Sequence, residues 1–377
     1  MRIRGAVLSE IGIPQPYAVN GALEIADLDL ADPGPGEVLV RIAAAGLCHS
    51  DLSVIDGSRV RPLPMLLGHE ASAVVEAIGA DVVEVAVGDH VVLSYVPSCG
   101  ACQPCRSGRP ARCEPGQVAN GAGTLLGGAR RLSRPDGGEP ISHLLGVAAF
   151  ADHAVVSQGS LVRIDRDADL STAAVLGCAV LTGVGAILNT AEARPGSSAV
   201  IFGLGGVGSS AVMGARLADC HPIVAVDVVD AKLALARGFG ATHAVRGDDP
   251  DLVAIIREIT GGGGETVVEA VGRVATLQSA YAATRPGGTT VSTGLPSPDA
   301  MLCIPALSLV AEERTLRGSY MGTSVPRRDV PRYLALAREG RLPIERLISA
   351  RIRLAAINEG FDRLADGSAL RQLIVFD

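Results

Sequence analysis

Positive charge is scarce in this 377-residue chain: Lys and Arg together number 33 against 40 Asp and Glu, and Lys232 is the only lysine. A net charge of -7 and a pI near 5.6 lack the electrostatic footprint that binding a nucleic acid or an anionic membrane surface requires. Long apolar runs are missing too. The best candidate, AAVLGCAVLTGVGAIL from Ala173, is rich in glycine and shorter than the roughly 20 residues of a membrane span. The N-terminal MRIRGAVLSEIGIPQP starts basic, but its apolar run is short and ends at Pro14, so no signal peptide is expected and the protein is placed in the cytoplasm. With 48% hydrophobic residues the chain is long enough for two domains, each burying its own core. Cysteine is sparse, at eight residues, and in a reducing compartment those thiols do not form a disulfide framework.

Four of the eight crowd into CGACQPCRSGRPARC, residues 99–113. Cys99, Cys102, Cys105 and Cys113 form a C-x2-C-x2-C-x7-C array on a Gly- and Pro-rich loop, which can wrap one tetrahedral Zn2+. With all four corners filled by protein, the site is structural. Four unrelated buried thiols at this spacing would be rare by chance. Arg106, Arg109 and Arg112 invite a nucleic-acid finger reading, which an acidic chain without neighbouring basic stretches does not support.

A second set is dispersed. AAGLCHSDLSV supplies Cys48, His49, Ser50 and Asp51, LLGHEASAVVEAIG supplies His69 and Glu70, and AVLGCAVLTGVGAIL supplies Cys178. Cys48, His69 and Cys178 make three zinc ligands with a fourth position open, the pattern of a catalytic ion. Asp51 and Glu70 sit beside them, where carboxylates fix an imidazole tautomer and balance the ion's charge. Singly, each ligand would read as ordinary core.

In SSAVIFGLGGVGSSAVMGARLADCHPIVAVDVV an apolar β run from Ser198 to Phe202 leads into Gly203, Gly205 and Gly208 in G-x-G-x-x-G order, with Gly206 and Val207 inside the turn. A helical stretch and a second apolar run ending in Asp227 follow. That context marks a dinucleotide site: the glycines bring the backbone to the pyrophosphate, and Asp227 accepts the ribose hydroxyls and repels a 2'-phosphate, favouring NAD. Lys232 follows, either as a ribose partner or as an incidental placement. Further β runs (GATHAVRG, GGGGETVVEAVG, PGGTTVSTG, RTLRGSY) alternate with helical patterns over 250–260 and 276–284, predicting a parallel doubly wound α/β sheet. The first 180 or so residues run as short β segments broken by Pro and Gly, predicting a barrel-like domain that carries both metal sites.

From GEVLVRIAAAGLCHSD through PLPMLLGHE, the four-cysteine lobe, FGLGGVG and INEGFDRLADGSALRQLIVF, the whole chain resembles the zinc-dependent medium-chain dehydrogenases, specifically the liver-type alcohol dehydrogenases. The resemblance implies a GroES-like catalytic domain over 1–180, a Rossmann NAD domain over 181–322 and a segment over 323–377 returning to the first. It implies two Zn2+ per chain. Cys48, His69 and Cys178 match the catalytic zinc ligands, Glu70 the residue behind that zinc, Ser50 the hydroxyl that takes the alcohol proton, and the four-cysteine lobe the structural zinc. Asp227 and Lys232 match the adenosine-ribose pair, His49 and Arg371 the pyrophosphate contacts, and Thr182 a nicotinamide-side contact. Arg59, Tyr95, Leu144 and Leu295 resemble pocket positions suited to an apolar or aromatic alcohol, Arg59 either as a surface residue at the mouth or as a partner for a substrate carboxylate or phosphate. The retained stretch GTLLGGARRLSRPDGGEPISHLLG implies a homodimer.

The implied reaction is reversible oxidation of a primary or secondary alcohol to aldehyde or ketone with hydride transfer to NAD. Two alternatives stay open: a thiol-dependent formaldehyde dehydrogenase, although its glutathione-using members carry arginine where this chain has Gln117, and a non-enzymatic nucleotide-binding scaffold. One departure stands out, since Ser53 occupies the place of the histidine that ends the family's full proton relay.

Overall fold

The computed structural model describes residues 1–376. It divides into two compact units, one built from Met1–Cys178, Val325–Ala335 and the stretch from Ile348, the other from Ala179–Ser324 and Leu336–Leu347.

In the first unit, five strands close a small barrel in the order Arg2–Leu8, Glu24–Leu30, Leu132–Ser133, Pro140–His143, Met65–Leu66. Its apolar filling includes Ile3, Val7, Leu28, Leu30, Leu66 and Ile141, supplied by strands whose inward positions are aliphatic. A second sheet is organised around the long strand Glu37–Gly46, which pairs with Ala71–Ile78, His153–Ser157 and Arg371–Val375. This GroES-like β architecture agrees with the sequence reading, except that helices also form. His49–Ile55 is too short to show a helical period, and Glu114–Ala122 has its pattern interrupted by Pro115, Gly116 and Gly121.

The second unit is a six-stranded, all-parallel sheet in the order His243–Arg246, Ile223–Asp227, Ala199–Phe202, Gly264–Glu269, Thr284–Ser292, Thr315–Gly318. Helices Gly206–Leu217, Asp230–Phe239, Leu252–Thr260 and Val274–Ala283 alternate with the strands. Val200, Phe202, Val224, Val226, Val267 and Ile256 fill the interior, as expected of strands buried on both faces. The order reverses beside Ala199–Phe202, the switch point at which such sheets bind nucleotides.

One boundary differs from the sequence expectation. Residues 336–347, expected to return with the 323–377 segment, group with the parallel sheet. Leu342, Ile344 and Leu347 are fully buried there, the turn Ile344–Leu347 packs on helix Gly206–Leu217, and Arg346 Nη1 donates to Gly238 O at 3.3 Å. The apolar stretch after Ala173 is likewise not one rod: a 3-10 turn Ala174–Gly177 is followed by helix Ala179–Gly185 and a π segment Ala186–Ala191. Among the described residues no single helix is long and apolar enough to cross a membrane.

His143, at the end of a barrel strand, is fully buried and its Nε2 accepts the Arg131 amide at 3.0 Å. Burial, with the nearby Arg130 and Arg131, depresses its pKa from 6.5 to about 3. The folded protein therefore keeps His143 neutral where the unfolded chain would protonate it. Its contribution to stability is complete above pH 6.5 and is lost as pH falls toward 3. A His143→Gln variant should show a shallower fall of the urea midpoint between pH 6.5 and 4 than wild type; parallel profiles would show that this histidine carries none of the acid sensitivity.

Candidate active site

Cys48 precedes helix His49–Ile55 as its N-cap, and Asp51 at the third helical position accepts the Cys48 amide on Oδ2 at 3.2 Å. The other carboxylate oxygen accepts the Gly68 amide at 3.0 Å and lies 3.1 Å from His69 Nδ1. Gly68 sits at φ 93°, and a Cβ there would come within 2.6 Å of the Phe150 nitrogen, so only glycine delivers His69 from this turn. Cys178 enters from the end of the turn Ala174–Gly177. One ligand atom each from Cys48, His69 and Cys178 lies within 4.8 Å of the others, and all three residues are buried.

One unpartnered atom points to a metal. With Nδ1 held by Asp51, His69 Nε2 is left buried without a hydrogen-bond partner, an orphan that a metal ion would satisfy. A hydrogen bond from Cys178, aided by Arg371 and opposed by burial, holds the Cys48 thiol well below its ordinary range, and the same bond with burial holds Cys178 well above it. Burial opposes charge on His69, but Asp51 outweighs it and raises the ring well above its usual value. One imidazole nitrogen and two thiols, all on buried residues, form a zinc donor set with a fourth position left for a ligand.

Two carboxylates flank the cluster and do different work. Asp51 orients the imidazole, as the sequence suggested. Glu70, grouped with the metal residues by the sequence reading, stands outside the three-ligand set: it is fully buried, and its Oε1 lies 3.3 Å from Arg371 Nε. Arg371 in turn is buried, with Nη1 donating to Leu47 O at 2.7 Å. That inward arrangement around Leu47 had no signal in the sequence, because it joins residues 324 positions apart.

The four-cysteine lobe also closes, with Cys99, Cys102, Cys105 and Cys113 presenting sulfurs within 4.8 Å of one another. Backbone amides aim at them: Cys99 N to Cys113 Sγ at 3.2 Å, Cys102 N to Cys99 Sγ at 3.3 Å and Gly116 N to Cys113 Sγ at 3.4 Å. Such donors favour thiolate. The Cys105 amide holds Cys102 down to about 7, while burial and the bond with Cys102 push Cys105 up to about 12. Four sulfurs leave no corner for substrate, so this set fits a structural zinc.

Among the pocket candidates, Tyr95 stands edge-on to His69, ring centroids 5.6 Å apart, and Leu144 is buried. Ser50 is half-buried and His49 exposed on the same short helix, whose Ser53 Oγ donates to Ser50 O at 2.9 Å. Arg59, half-buried, donates its amide to Ser53 O at 2.7 Å.

Thr182 and Leu295 belong to the second unit, Thr182 buried and Leu295 49% exposed. There the turn after Ala199–Phe202 enters helix Gly206–Leu217, with Val207 in its first turn. A Cβ on Gly208 would collide with Gly203 O, whereas one on Gly205 would meet nothing within 4 Å, so this turn is tight on its inner side and open at the helix N-terminus. Asp227 ends its strand with Oδ2 accepting the Leu204 amide at 2.7 Å and Oδ1 the Val229 amide at 3.0 Å, which ties this carboxylate to the glycine turn. Lys232 is half-buried on the following helix.

Comparison with known proteins shows the family and the fold. Residues 34–166 match the family model of the alcohol dehydrogenase GroES-like domain and residues 206–339 that of the zinc-binding dehydrogenases. A geraniol dehydrogenase of Castellaniella defragrans is 40% identical over 370 residues, 95% of each chain. The crystal structure of an alcohol dehydrogenase zinc-binding domain protein from Burkholderia ambifaria superposes with a TM-score of 0.93 at 36% identity, covering 100% of this chain and 99% of that one. That of benzyl alcohol dehydrogenase from Acinetobacter calcoaceticus gives 0.92 at 32% identity over 100% of both.

The closed and open clusters should fail differently. Cys102→Ser is expected to lower the melting temperature and release the lobe's metal, whereas Cys178→Ser should abolish turnover and the second metal while leaving a folded, nucleotide-binding protein. Metal analysis, melting curves and activity on both variants check this, and identical failure of the two would contradict the division.

Proposed function

The chain belongs to the zinc-dependent medium-chain dehydrogenases, and we propose that within that family it is an NAD-dependent alcohol dehydrogenase with two zinc ions per chain, acting reversibly on primary or secondary alcohols of apolar or aromatic character. The observation that carries this reading is the buried triad of Cys48, His69 and Cys178, whose unpartnered His69 Nε2 faces a site with a fourth position to spare.

When bound, zinc supplies Lewis acidity toward an alcohol or carbonyl oxygen, and the nicotinamide exchanges a hydride with its carbon. The protein's own groups do the rest. Asp51 fixes the His69 tautomer through the 3.1 Å contact at Nδ1. The Ser50 hydroxyl takes the substrate proton, and Tyr95 and Leu144 supply an apolar wall that excludes water and seats the substrate. Relatives named for geraniol and benzyl alcohol act in the direction of such substrates. We also propose that the protein is a cytoplasmic homodimer; the exposed apolar side chains Met301, Leu307 and Val310, which precede the edge strand Thr315–Gly318 in sequence, offer a face for a second copy. Alcohol-dependent NAD reduction by the zinc-loaded protein, across a panel of aliphatic, terpenoid and benzylic alcohols, tests the reading, and no turnover with any of them would sink it.

Asp227 directs cofactor choice. Asp227→Ser should raise the KM for NAD and improve kcat/KM with NADP at least about tenfold, since a carboxylate repels the 2'-phosphate and forfeits its ribose bonds. Steady-state kinetics with both cofactors decide, and equal use of NAD and NADP by the unaltered protein would contradict the assignment.

Proton release is the weak point of this chain. Ser53 cannot hold a proton near neutral pH, and its hydroxyl is already given to Ser50 O. Alcohol oxidation is therefore expected to need alkaline pH, and Ser53→His to gain on the order of tenfold to a hundredfold near pH 7, with added imidazole rescuing wild type. A pH profile unchanged by either treatment would place the proton's exit elsewhere.

A further inference from the structure

Among the described residues, Arg371 is the only Lys or Arg that is buried as a whole residue, although the chain carries 33 of them and the Arg314 side chain is also largely covered. A guanidinium in the interior costs several kcal/mol unless its charge is matched and its donors are used. At 3% exposure its charge is matched by the fully buried Glu70 carboxylate, 3.3 Å from Nε, and its Nη1 donates to Leu47 O at 2.7 Å. Both contacts lie one residue from a zinc-ligand candidate, Glu70 next to His69 and Leu47 next to Cys48.

The backbone repeats the pattern. The Leu47 amide donates to Gln372 O at 3.0 Å, so residue 47 is gripped at its carbonyl by the Arg371 side chain and at its amide by the next residue of the same strand. That strand, Arg371–Val375, is hydrogen-bonded to Ala44–Gly46, directly ahead of Leu47. Glu70 is tied down from its own side, its carbonyl accepting the Gly46 amide at 2.8 Å. The two turns that present Cys48 and His69 are thereby fastened to one buried cation.

We propose that Arg371 is a positioning residue for the catalytic metal: by bridging Leu47 and Glu70 it sets the spacing of Cys48 and His69 and so governs how tightly the Cys48–His69–Cys178 site retains zinc. This rests on the reading of that triad as a zinc site, and it differs from the pyrophosphate role that the family resemblance implies for Arg371. Lysine cannot replace the arginine, because an ammonium reaches one of the two partners at a time, whereas the guanidinium fork holds both.

The test compares wild type with Arg371→Lys and Arg371→Met. Zinc content and the rate of zinc loss to dipicolinate are measured first, then the visible bands of the cobalt-substituted site, the Kd for NAD and the melting temperature. Wild type should hold two zincs. In Arg371→Met one zinc should be lost at least about tenfold faster, as for other groups that orient metal ligands, with shifted cobalt bands, while the lobe zinc stays. Arg371→Lys should fall between. A merely structural role would lower the melting temperature and leave the cobalt bands alone, which would overturn the proposal. So would unchanged zinc retention in both variants, including the case in which only the affinity for NAD falls. If Arg371→Met does not fold, Arg371→Lys decides by the same readouts. A wild type holding only the lobe zinc would instead defeat the zinc reading of the triad, and this proposal with it.

Discussion

The site depends on one buried carboxylate. Asp51 accepts the amides of Cys48 and Gly68 and faces the ring of His69, so a single side chain joins the start of a helix to the turn that carries the imidazole. A carboxylate in the interior is tolerable only when its oxygens are satisfied, and these three contacts satisfy it. They also dictate the outcome: with Nδ1 engaged, the ring has only Nε2 to offer inward. The Cys48 and His69 side chains are thereby held against one another, and Cys178 joins them from the end of the turn Ala174–Gly177. Glu70, a neighbour in sequence, faces the Arg371 guanidinium and not the imidazole.

The two metal sets are built on opposite principles. In the four-cysteine lobe the ligands are close in sequence and the backbone itself solvates the sulfurs, four amides pointing at Cys99 and Cys113. Its geometry is local. The triad is assembled from residues 48, 69 and 178 by side-chain contacts across the first unit, and its preorganisation is spread over a sheet and two turns.

That contrast explains what could be read from the sequence. The lobe's spacing, the glycine turn with Asp227, and the alternation of strands and helices after Ser198 are local patterns, and they translated directly into the parallel sheet and the four-sulfur cluster. The three ligands of the triad were legible through short motifs around each. Their supporting contacts were not: which of Asp51 and Glu70 would meet the imidazole depends on the strand geometry around Gly68, and the inward turn of Arg371 depends on a strand pairing with no local trace. The helices His49–Ile55 and Glu114–Ala122 escaped for a related reason, being short or broken by Pro and Gly, with stability that comes from what they pack on. Residues 336–347 carry buried leucines and isoleucine, but nothing in their pattern says which core receives them.

The link between Leu47 and Arg371 also has a meaning in time. A ribosome makes Cys48 early and supplies the strand that clamps its neighbour only 324 residues later, after the whole parallel sheet has emerged. Domains tend to fold as they appear. The sulfurs and amide donors of the cysteine lobe all lie within residues 99–116 and are complete while synthesis continues, whereas on the proposed role of Arg371 the triad gains its final spacing only when that residue arrives. The connectivity of the fold thus separates the two clusters in the order in which their parts emerge.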